Sequence, residues 1–112
     1  SGHSRGSTID LTIVPIPIPF QPEFDMENQC ECFESTDKRF KDNSIDMGTG
    51  FDCFHALSHT ENKELTTQQR VNRLLLKSLM DKYGFNNLTE EWWHYTLRNE
   101  PFPKTYFHFE IK

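Results

Sequence analysis

Apolar residues recur at helical spacing in only one long stretch of the chain. Val71, Leu74, Leu75 and Leu79 follow the i, i+3, i+4, i+8 pattern, which predicts a helix from about Thr67 to Tyr83. Thr66 and Gln69 fit a capping box at its start, and Gly84 supplies the stop. The stripe is expected to pack as core, since a small domain needs its sheet covered and a partner-binding face is the less economical reading. Strand patterning is shorter. Ser7 to Val14 is rich in β-branched residues and predicts a strand. Trp92 to Leu97 predicts another, reached from the helix through a turn-rich link over Phe85 to Glu91. A final extended piece, Tyr106 to Lys112, alternates Phe107, Phe109 and Ile111 after the Pro101-Phe102-Pro103 break.

Between these elements the pattern changes character. Prolines alternate with apolar residues from Pro15 to Pro22, which suits an extended edge and excludes a central strand. A polar stretch from Glu23 to Ser44 reads as a long surface excursion, ending at a tight turn in Asp46-Met47-Gly48-Thr49-Gly50. One main helix between strands gives an α+β class with a small antiparallel sheet. Phe51, Phe54, Phe107 and Phe109 are expected in the core. Trp92 and Trp93, as successive strand residues, are expected to face opposite ways, one into the core and one along a cleft.

Size and charge narrow the function. A chain of 112 residues holds a single domain. The net charge of −5, without a run of Lys or Arg, argues against nucleic acid as partner. The apolar stretches Leu11 to Phe20 and Leu74 to Leu76 are too short or too broken by proline to span a bilayer. The first residue is Ser and no charged-then-apolar leader follows, so any signal or upstream domain is expected to lie outside these residues. Cys30, Cys32 and Cys53 are an odd set, read as free thiols or one disulfide in preference to a second metal site. Asn87-Leu88-Thr89 is a glycosylation sequon, a pattern common by chance.

The candidate chemistry lies at opposite ends of the chain. His3-Ser4-Arg5-Gly6-Ser7-Thr8-Ile9-Asp10 and Glu91-Trp92-Trp93-His94 together carry two imidazoles, a carboxylate and a further glutamate. Catalytic zinc takes three nitrogen or oxygen ligands and keeps a position for water, so His3, Asp10 and His94 are the candidate ligands and Glu91 the candidate proton carrier. Two parities stand in the way. His3 and Asp10 are seven apart and would face opposite sides of a continuous strand, so the Ser4-Arg5-Gly6 turn must break the register. Glu91 and His94 are three apart, which predicts Glu91 in the turn and His94 in the strand. Glu91 could otherwise orient a ligand from behind. His55, His59 and His108 are read as surface or structural histidines.

Taken in order, the two motifs resemble those of the zinc-dependent D-alanyl-D-alanine dipeptidase family. The resemblance extends to Asp46-Met47-Gly48-Thr49-Gly50-Phe51-Asp52, to Ser58-His59, and to Asn99-Glu100-Pro101-Phe102-Pro103 with Tyr106-Phe107. It implies a hedgehog/DD-peptidase-like fold and one zinc ion on His3, Asp10 and His94. It also implies Glu91 as general acid/base, and Ser1 and Asp52 holding the free amino group of a small D-amino-acid dipeptide. Hydrolysis would follow attack of a zinc-bound water on D-Ala-D-Ala or a similar dipeptide. A peptidoglycan D-Ala carboxypeptidase and a non-catalytic zinc-binding or interaction domain are the alternatives. Family members carry an upstream region with an Arg that supports the oxyanion; Arg5, too close to the first ligand, is expected in a structural ion pair. The chain therefore resembles the C-terminal half of a larger catalytic domain, with an upstream segment completing the cleft. A cytoplasmic location is the expectation, with a secreted or periplasmic one the alternative.

Overall fold

A computed structural model describes residues 2–21, 31–34 and 42–106. Three strands, β1 (Thr8–Asp10), β2 (Phe85–Leu88) and β3 (Glu91–Leu97), form one antiparallel sheet in the order β1-β3-β2. One long helix, α1 (Thr67–Lys82), packs on β2 and β3. The α+β class follows directly. The Thr66 hydroxyl accepts from Gln69 N and the Gln69 side chain accepts from Thr66 N, so the expected capping box starts the helix. Gly84, at φ 91°, ends it.

The core departs from the sequence expectation in its membership. Val71, Leu74, Leu75 and Leu79 are 52%, 48%, 48% and 44% exposed, so the apolar stripe of α1 faces outward. The helix instead turns Leu76 and Arg73 inward. Arg73 is tolerated there because its guanidinium is spent on three carbonyls. Nε donates to Met47 O at 2.6 Å, Nη1 to His59 O at 2.8 Å and Nη2 to Leu57 O at 2.8 Å. Burial lowers its pKa from 12.5 to about 10, with Asp46 opposing, and it remains a cation at neutral pH. Arg73 thus ties α1 to the two loops beneath it.

Around that tie, Met47, Cys53, Leu76, Trp92, Trp93 and Tyr95 form the buried cluster. Both tryptophans are buried, contrary to the alternation expected of a regular strand. They meet edge to face with ring centroids 5.4 Å apart, and Phe51 lies about 6 Å from each, at 6.2 and 5.9 Å. Phe51 and Phe54, expected in the core, are 41% and 78% exposed and lie over it as a partial cover. Of the last extended piece only Tyr106 is described; Phe107, His108, Phe109 and the residues after them lie outside the described residues, as does Cys30.

Two strands differ from the expectation. Phe85–Leu88 forms an edge strand where the Asn86-Asn87 composition suggests only a link. Ser7 to Val14 pairs over only three residues, Thr8–Asp10. Beyond Asp10 the chain leaves the ladder, keeping single bonds from Leu11 N to Trp93 O and from Ile45 N to Ile13 O. Cys32 and Cys53 are joined in a disulfide, the paired alternative of the cysteine reading. No helix among the described residues is long and apolar enough to cross a membrane.

Candidate metal and proton-transfer site

The two end motifs meet on the sheet. β1 and β3 pair with Thr8 opposite Thr96, Ile9 opposite Tyr95 and Asp10 opposite His94. Directly opposed residues project from the same face, so the pairing alone sets the Asp10 carboxylate beside the His94 imidazole. The separation of Asp10 Oδ1 from His94 Nδ1 is 3.1 Å.

His3 reaches the same carboxylate from outside the strand. Residues His3–Arg5 make one 3-10 turn, closed by Gly6 at φ 77°. That left-handed glycine breaks the register and removes the seven-residue parity problem. His3 Nε2 then lies 3.5 Å from Asp10 Oδ1. The turn is anchored by Arg5, whose Nε donates to Glu100 Oε1 at 2.7 Å, while Ser7 Oγ donates to the same oxygen. Arg5 also sits 5.7 Å from the Tyr106 ring centroid. Its structural ion pair is as expected from its position.

Glu91 arrives by a different device. It opens β3 and is not in the preceding turn, so the parity must be broken within the strand. The β2–β3 ladder does this by slipping between Asn87 and Leu88: Asn87 pairs with Tyr95 and Leu88 with Glu91. A bulge of this kind re-aims side chains that regular alternation would send to opposite faces. Glu91 Oε1 consequently lies 3.4 Å from His94 Nδ1.

One donor atom from each of His3, Asp10 and His94 falls within 4.8 Å of the others. The His3 and His94 rings stand 5.0 Å apart at 88°, edge to face. Asp10 Oδ1 is buried without a properly aligned hydrogen bond despite its two close imidazoles. A buried carboxylate oxygen left in that condition is costly, and a cation between the three donors would satisfy it. Two imidazoles and a carboxylate form a donor set used by catalytic zinc. Burial pushes the Glu91 carboxyl above its ordinary range; His94 opposes this, and Asp10, Asp52 and Glu90 add to it. A carboxyl beside the candidate donors, with its proton affinity raised, has the chemistry to take up and return a proton.

Asp52 contributes to that field from a left-handed backbone at φ 62° and is solvent-exposed. Ser1 lies outside the described residues. An open depression of about 340 Å³ adjoins the cluster, lined by Asp10, Leu11, Thr12, Asp42, Asn43, Ser44 and Phe51. Neither His55 nor His59 joins the cluster. The His55 ring stacks on Phe33 at 4.0 Å, and His59 offers its carbonyl to Arg73.

The peptidase M15 family, described as D-ala-D-ala dipeptidase, matches residues 34–112. The chain belongs to this family. Among curated members, a D-alanyl-D-alanine dipeptidase of Streptomyces coelicolor is 34% identical over 111 residues, 99% of this chain and 44% of that protein. One from Enterococcus faecium is 33% identical over the whole chain and 44% of its own length, and one from Escherichia coli is 33% identical over 87% of the chain and 38% of its length. The chain thus spans less than half of these dipeptidases. The M15 match begins at residue 34, so His3 and Asp10 are covered only by the pairwise similarity.

Sequence reasoning found the four clustered residues but missed the buried Arg73, and missed Asn87, whose Nδ2 donates to the backbone carbonyls of Glu91 and His94. Arg73 sits next to an apolar stripe and looks like an exposed helix residue. Asn87 reads as a sequon or a turn.

Proposed function

We propose that this chain is the metal-binding part of a zinc metallopeptidase that hydrolyses D-Ala-D-Ala or a similar small dipeptide. The observation that carries the reading is the convergence of His3, Asp10, His94 and Glu91, from opposite ends of the chain, within one group of short separations. Family membership and the names of the relatives support the reaction class and the substrate.

In this reading His3, Asp10 and His94 would hold zinc, which would supply a Lewis acid for the peptide carbonyl and make water acidic enough to lose a proton near neutral pH. Glu91 accepts the proton of the attacking water and delivers it to the leaving amine. Its carboxyl, whose pKa is raised chiefly by burial, suits both halves of that transfer. Asp52, with Ser1, holds the ammonium of the dipeptide, since an anion facing a free amino group favours a dipeptide over a longer chain.

The fold is of the hedgehog/DD-peptidase-like type in this proposal, and the 112 residues form the C-terminal half of a larger catalytic domain. An upstream segment completes the cleft and supplies the cation that faces the oxyanion, a role Arg5 does not fill because Glu100 engages it. The disulfide Cys32–Cys53 supports the secreted or periplasmic alternative over the cytoplasm, since such bonds persist in oxidising compartments.

The test is dipeptide hydrolysis by the complete protein and by its Glu91→Gln variant, with zinc content measured alongside. Turnover should fall by about 10²-fold or more while zinc stays bound. Unchanged turnover with zinc in place would falsify the role given to Glu91. Release of a terminal D-Ala from a longer peptide, with no dipeptide hydrolysis, would favour the carboxypeptidase.

A further inference from the structure

Glu91 and His94 face the same point only because β3 slips against β2, and something must hold the slip. We propose that Asn87 is a positioning residue for the site, its side-chain amide fixing the backbone of both Glu91 and His94. Asn87 Nδ2 donates to Glu91 O at 3.0 Å and to His94 O at 3.1 Å. Its Oδ1 accepts from Thr60 Oγ1 at 2.6 Å. Thr60 is itself buried and anchored, its backbone N donating to Thr89 O at 3.0 Å.

The chemistry of the amide suits this task. One step along β2, from Asn87 to Leu88, corresponds to the step from Tyr95 to Glu91 on β3, so a regular ladder cannot serve the intervening residues. A primary amide carries two N–H groups on one nitrogen and an acceptor oxygen, enough to bridge two carbonyls and take a hydroxyl. Leucine of similar size offers none of these. Aspartate offers only acceptors, which would repel the two carbonyls. With both donors engaged inside the sheet, Asn87 is also a poor glycan acceptor despite its sequon.

Asn87 touches neither the proton carrier's carboxylate nor the imidazole in the contacts described. It acts on their main chain, and through it on the 3.4 Å separation between Glu91 Oε1 and His94 Nδ1. Groups that orient ligands from behind are worth about 10- to 100-fold in metal affinity or activity. This inference rests on the zinc dipeptidase reading for its zinc-affinity and activity arms, while the His94 resonances of the metal-free protein judge it independently.

The experiment compares wild type, Asn87→Leu, Thr60→Val and, as a neighbour on the same edge strand, Leu88→Ala. The zinc dissociation constant is read by chelator competition, the His94 ring resonances by NMR of the metal-free protein, and kcat and KM on D-Ala-D-Ala. Asn87→Leu should weaken zinc by about 10-fold or more and lower kcat, with KM within about twofold. The His94 resonances should move while those of His55 stay. Thr60→Val should change zinc affinity and the His94 resonances in the same direction by less, and Leu88→Ala should change neither.

Zinc affinity and His94 resonances unchanged in folded Asn87→Leu would overturn the proposal. Should that variant not fold, unchanged values in Thr60→Val overturn it equally. Wild type that binds zinc but hydrolyses no dipeptide would overturn the functional reading while leaving the metal and NMR comparisons to judge Asn87.

Discussion

Reducing the Cys32–Cys53 disulfide removes a cross-link between residues 21 apart in sequence. In the chain-entropy treatment, closing a loop of that length restricts the unfolded chain by about 3 kcal/mol. The bond also holds folded structure. Cys53 is buried in the core cluster next to Asp52, and Gly50 N donates to Cys32 O at 2.8 Å. The perturbation is best made in a Cys30→Ser background, so that the third thiol cannot exchange into the bond. Urea unfolding is then followed with and without reductant, which leaves every side-chain volume in place. For a chain of this size the denaturant slope is about 1.5 kcal/mol per molar urea, so the midpoint should fall by about 2 M on reduction. Against a typical total of about 5–15 kcal/mol, that is a substantial share of the stability. Midpoints within about 0.5 M of each other would refute the reasoning, either because the bond is not formed or because the unfolded chain already keeps its ends together.

Two further changes test other supports. Arg73→Met fills much of the same volume but strands the carbonyls of Met47, Leu57 and His59, and should cost about 3–5 kcal/mol in urea unfolding; a loss under about 1 kcal/mol would show the guanidinium is dispensable. The hydrogen bonds from Arg5 and Ser7 lower the Glu100 pKa from its ordinary 4.5. The stabilisation is therefore fully present above that value and is lost as pH falls below it toward the folded-state pKa. Thermal melts between neutral pH and pH 3 should show a steeper acid loss in wild type than in Glu100→Gln, and parallel curves would refute the pairing.

Local signals carried over well where the responsible atoms are neighbours in sequence. The capping box at Thr66 and Gln69, the stop at Gly84 and the break at Gly6 are each written within a few residues, and each is present. The clustered residues were legible as well, because their types are few and the metal chemistry constrains them. Burial was less legible. The period of Val71, Leu74, Leu75 and Leu79 says that α1 has an apolar face but not what covers it, and among the described residues the face that turns inward is the adjacent one, with Leu76 in the core cluster and Arg73 on the loop carbonyls. Alternation failed at Trp92 and Trp93 for a similar reason. A slip in the ladder is a property of two strands together, and neither strand announces it alone.

That slip has an implication for how the protein tolerates change. The run Glu91-Trp92-Trp93-His94 carries the proposed proton carrier, two of the largest buried side chains and a metal-ligand candidate in four consecutive positions. Packing and chemistry therefore cannot be tuned independently there. A substitution that relaxes either indole also shifts the backbone on which the flanking functional groups ride, so a library directed at this run will find stability and turnover rising or falling together. Variation has more freedom at exposed positions such as Phe54, whose side chain can change without re-threading the strand.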